Sequence, residues 1–167
     1  MALAPITLPQ FFGGLVENVF EVKLGVPDVP VIEYVSGLLI RFTRSDQFRR
    51  LRNLTGQPVV EIVDMLHEAE NRIGLARRDA HRHIGDSTLF WVGVYPESLQ
   101  QLKRAKKKDY FVDFCRQGKR AYHIASRIQA DEEPSGDLLA RLSAQFELLA
   151  YGLGEVRREW EHRTTPV

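Results

Sequence analysis

Asp79, His83 and Asp86 are separated by four and then three residues, so a continuous helix would carry all three side chains on one face. Two carboxylates and an imidazole are legitimate ligands for zinc, manganese or iron. Helical di-metal proteins draw carboxylates and Glu-x-x-His pairs from several helices, however. His67 and His123 would have to complete such a set here, and nothing in the sequence places them near. The plainer reading makes Asp79 and His83 a surface pair and turns Asp86 inward. Asp86 lies between Ile84 and the apolar run Leu89 to Tyr95, and a buried carboxylate needs a partner because an unpaired one is too costly to keep. It is either the anchor of a buried polar network or part of a site, and its neighbours in the chain leave both open.

Other chemistry has less to stand on. Cys115 belongs to an apolar helical face, where a thiol is most often a small inert hydrophobe. The chain has no Gly-x-Ser-x-Gly elbow, and Gly13-Gly14 and Gly152-x-Gly154 match neither a phosphate-binding loop nor a dinucleotide fingerprint. No catalytic residue and no cofactor are expected. A basic cluster, Lys103, Arg104, Lys106, Lys107 and Lys108, precedes Tyr110 and Phe111. Such a cluster suits phosphate contacts with stacked bases, and it suits equally well a solvated corner between helices. No helix-turn-helix or zinc-finger pattern accompanies it.

A chain of 167 residues with 44% hydrophobic content is long enough to enclose a core, and its formal net charge is +1. That near-neutral total is uneven. Residues 98–130 hold nine basic against two acidic side chains, whereas residues 131–167 hold four against eight. The basic third either attracts polyanions or lies against the acidic tail in the fold, the second being the preferred expectation. One cysteine excludes an internal disulfide framework, and Met1 to Gly14 lacks the basic start and apolar middle of a secretory signal. A cytoplasmic location is expected. No apolar run approaches the roughly 20 residues that span a bilayer, so no membrane role is expected.

The elements that must position these residues read as helices, because apolar residues recur at three-and-four spacing in almost every segment. Thr7-Leu8-Pro9-Gln10 fits a capping box with proline in the first turn, and Asp28 fits the cap of a second helix bearing Ile32, Val35, Leu38, Leu39 and Phe42. Pro58 is expected to open a third helix that ends near Gly74. The segment after it starts polar and becomes apolar almost all round after Ser87, which suits a helix that enters from the surface and finishes in the core. Thr88, Phe90, Trp91, Val92, Val94 and Tyr95 are also strand-favouring residues. A strand there would need a partner, and the short, proline-interrupted Val26 to Val31 is a poor one, so helix is preferred. A further helix carries Phe114, Cys115, Ala121 and Tyr122. A last one carries Leu138, Leu142, Phe146, Leu149, Leu153, Val156 and Trp160 in a seam suited to a long partner helix.

The segment Ile84-Gly85-Asp86-Ser87-Thr88-Leu89-Phe90-Trp91-Val92-Gly93-Val94-Tyr95-Pro96-Glu97, followed by Asp109-Tyr110-Phe111-Val112 and Gly118-Lys119-Arg120-Ala121-Tyr122, resembles a bacterial family of uncharacterised proteins. The resemblance covers the middle third of the chain and brings no transferable activity. It implies a bacterial origin and a defined domain. It also suggests that Asp86, Tyr110 and Tyr122 meet as a buried polar anchor, and that Gly85, Gly93 and Gly118 permit close helix crossings.

The expectation is therefore an all-α protein, residues 1–167 forming a single compact bundle of about six helices around a buried central helix. Its expected function is that of a non-catalytic accessory or protein-interaction module, with a protein partner or self-association through Leu153, Val156 and Trp160. The alternatives are nucleic-acid binding through the basic 103–120 region and metal binding through Asp79, His83 and Asp86.

Overall fold

The computed structural model describes residues 7–43, 61–97, 99 and 113–164. Every regular element among them is helical: α1 (Leu8–Glu17), α2 (Val29–Phe42), α3 (Ile62–Glu70), α4 (Gly74–Val94), α5 (Phe114–Arg127), α6 (Gly136–Ala144) and α7 (Phe146–Thr164). A π-helical turn, Asn18–Lys23, continues α1.

Local chemistry sets the boundaries. The Thr7 hydroxyl accepts from the Gln10 amide while the Gln10 side chain accepts from the Thr7 amide, a complete capping box with Pro9 in the first turn. Asp28 caps α2, Asp113 caps α5 and Ser135 caps α6, each through its side chain. Gly74 opens α4 at φ 59°, in the left-handed region that favours glycine.

Helix α4 is the axis of the molecule. From Ala80 to Phe90 every residue except Arg82 is buried, so its apolar and polar residues are not sorted to opposite sides as on a surface helix. The strand-favouring residues Thr88 to Val94 are helical, because neighbouring helices rather than a β-partner cover them. α5 and α7 pack along α4, and the main core gathers side chains from α1, α2, α4, α5, α6 and α7. A smaller cluster joins Ile62, Met65 and Ala69 of α3 to Ala80 and Ile84 of α4 and to Phe114 and Ala121 of α5.

Close crossings occur where α4 and α5 carry glycine. A Cβ built on Gly85 would stand 2.6 Å from the Tyr122 ring, one on Gly93 would stand 2.7 Å from Leu153 Cβ, and one on Gly118 would strike Thr88 Oγ1 and the Phe146 ring. The carbonyl of Val94 at the end of α4 accepts from Arg157 Nη1 at 2.7 Å, whose guanidinium also lies over the Tyr95 ring.

Two expectations need correction. The last leucine seam is carried by two helices, not one, since the chain turns at Gln145 between α6 and α7. That seam is also spent inside the chain: Leu153 and Val156 are buried, and Trp160 packs edge-on against Phe12 of α1 at 5.3 Å between ring centroids. The residues expected to meet a partner meet α1 and α4 instead. Among the described residues the basic third touches the acidic tail at Lys119, which pairs with Glu147 at 3.1 Å. No helix of the described residues is long and apolar enough to cross a membrane.

Candidate functional site

Asp86 is 2% exposed and collects side chains from three helices. Tyr34 of α2 and Tyr122 of α5 both donate their hydroxyls to Oδ1, each at 2.6 Å. Arg41 of α2 donates from Nη1 to Oδ2 at 3.2 Å. Arg82, one turn earlier on α4, holds Nε 4.0 Å from Oδ2 and donates from it to the Tyr34 hydroxyl at 3.0 Å. Tyr34 is thus donor to the carboxylate and acceptor from the guanidinium. Both cations also lie over its ring, with Arg41 at 5.4 Å and Arg82 at 5.5 Å from the centroid.

The helices make this convergence possible. Gly85 lets the Tyr122 ring lie against α4, so the phenol reaches the carboxylate of the next residue. Tyr34 and Arg41 are two turns apart on α2 and face the same oxygen pair from one side. Burial first, and then the Asp86 charge, push both phenols above the usual tyrosine range. Burial opposes the charge on Arg41 and Arg82, but Asp86 and Tyr34 outweigh it and raise both guanidinium pKa values. A phenol held in its protonated form donates a hydrogen bond; it does not serve as a base or nucleophile near neutral pH. The assembly is a closed arrangement of donors around one acceptor.

No family model, curated protein or solved structure matches the chain. The site is therefore read from its own geometry.

Directly above the network lies an open cleft of about 380 Å³. Tyr34 and Arg82 belong to both, and Pro30, Pro134 and Leu138 give the cleft its apolar walls. Glu33 and Glu133 stand exposed at its edge. The turn that carries Pro134 is tied down from below, because the buried guanidinium of Arg78 donates to the Pro134 carbonyl.

Of the residues expected at a site, the structure brings Asp86 and Tyr122 together. Tyr110 and the cluster Lys103, Arg104, Lys106, Lys107 and Lys108 lie outside the described residues. The metal set is not assembled: Asp79 is exposed, His83 is buried and stacked on Phe42, and Asp86 is turned to α2 and α5. Among the described residues no three His, Cys, Asp or Glu side chains converge as a metal site would require. Tyr34, Arg41 and Arg82 escaped the reading of the sequence. The Arg82–Asp86 spacing of four was an available signal, since it permits a pair on one helix. Nothing local marks Tyr34, 52 residues from its partner.

Proposed function

We propose that the chain is a non-catalytic interaction module, and that its partner face is the cleft above Tyr34 and Arg82. The observation that carries this reading is the division between committed and uncommitted charge. Arg82 is spent on Tyr34 and Asp86, whereas Glu33 and Glu133 have no ion pair among the described residues. A partner segment bearing lysine or arginine meets counter-charges at the edge and apolar contact for its methylene stem on Pro30, Pro134 and Leu138. The Asp86 network is scaffold in this reading. It fixes the Tyr34 ring before binding, so less ordering cost falls on the complex.

Titration of the isotope-labelled chain with a short lysine- and arginine-rich peptide, followed by NMR, tests the reading. Shifts are expected at Tyr34, Glu133 and Leu138, weaker at high salt and lost in the double variant Glu33→Lys/Glu133→Lys. Absence of shifts, or equal shifts with an acidic peptide, would reject it. A random oligonucleotide that shifts α5 instead would favour the nucleic-acid alternative.

A further inference from the structure

His81 of α4 is fully buried, and neither of its ring nitrogens has a hydrogen-bond partner among the described residues. Leaving a buried donor and acceptor unmet is costly in any protonation state, and more so once the ring is charged. The charged groups facing it are Arg77 on α4, Glu70 on α3 and Arg120 on α5. Glu70, the one anion among the three, is already 3.7 Å from Arg77 Nη1. The same nitrogen of Arg77 donates to the Ala69 carbonyl at 3.4 Å, tying the end of α3 to α4. Among the described residues, the buried apolar side chains of α3 pack in the small cluster with α4 and α5.

We infer that His81 is an acid-release latch on α3. Neutral, the imidazole stays sealed in the junction and α3 remains docked. Protonated, it stands beside two arginines with a carboxylate that one of them already holds. Lifting α3 lets water reach the ring, while α4, α5 and α7 stay packed through the main core. Burial, reinforced by Arg77, holds the folded imidazole down at about 4, against an ordinary value of 6.5. Proton uptake is therefore linked to opening, and each pH unit below 6.5 favours the open form about tenfold until the folded value is reached.

The test is amide hydrogen exchange of the whole chain at pH 6.5 and 4.5, read as protection factors, with an NMR titration of the His81 ring. Protection across Ile62–Glu70 should fall about 40-fold between these conditions while α5 and α7 keep theirs. His81→Leu should abolish the fall. Should His81→Leu fail to fold, the wild-type ring decides. Titration near 6.5, constant α3 protection, or simultaneous loss of protection in all helices would overturn the latch.

Discussion

Among the ionisable side chains that helix α4 buries, Asp86 and His81 lie five residues apart and are treated in opposite ways. Asp86 has a partner on every side: two phenols on one oxygen and a guanidinium on the other, with a second guanidinium close by. His81 has no hydrogen-bond partner among the described residues, and burial with Arg77 depresses its affinity for a proton. A buried ionisable group persists either by gathering opposite charge and donors or by giving up its own charge. The first route makes a rigid junction of α2, α4 and α5. The second leaves α3 attached through a contact that tolerates only the neutral ring.

The largest effect is expected from removing the partnered group. Asp86→Ala should cost about 3–5 kcal/mol, because it leaves two guanidinium groups and the phenols of Tyr34 and Tyr122 without the carboxylate they share. Urea unfolding followed by circular dichroism checks this, and a loss below about 1 kcal/mol would show the network to be dispensable for the fold. His81→Leu should behave oppositely near neutral pH, being neutral or slightly stabilising, since it exchanges two unmet polar atoms for apolar contact.

Acid sharpens the same contrast. The folded value for His81 lies below its unfolded one, so the unfolded chain binds the extra proton between about pH 6.5 and 4. Stability therefore falls as the pH drops through that window, by about 2–3 kcal/mol, and the His81 contribution levels off below it. Unfolding curves for wild type and His81→Leu, compared across the window, isolate this contribution from that of the carboxylates. A difference that did not change with pH would remove His81 from the account.

How far the contrast was legible in the sequence depends on the range over which each cause acts. The Thr7 capping box and the Asp28 cap follow from neighbours within a few residues, and the chain displays them, whereas the helical state of Leu89 to Val94 rests on the helices that cover it. Asp86 announced itself as a charge set in an apolar run. The identity of its partners did not, because Tyr34 and Arg41 are brought in by the crossing of α2 over α4, a tertiary event without a local signal. The turn at Gln145 was hidden for a related reason: no proline or glycine marks it, and the leucine spacing continues through it. His81 was invisible as a special residue, since burial with no partner is a property of the packed junction alone.

Within the network, the two phenols allow a finer comparison. Tyr122 is fully buried, and its hydroxyl donates to Asp86, so Tyr122→Phe should cost about 1.5–2 kcal/mol. Tyr34 lines the cleft and is only half-buried. There the loss of the donor is softened by access to water, and Tyr34→Phe should cost about 1 kcal/mol. The same variant leaves Arg82 Nε without its 3.0 Å acceptor and frees that guanidinium to swing into the cleft. A cation released beneath Glu33 and Glu133 would compete with an incoming lysine or arginine. Tyr34→Phe should therefore weaken binding of a basic peptide more than Tyr122→Phe does, in the reverse order of their effects on stability. NMR titration of both variants measures it. Equal weakening by the two would mean that the network acts on the cleft only through the stability of the fold, not through the commitment of Arg82.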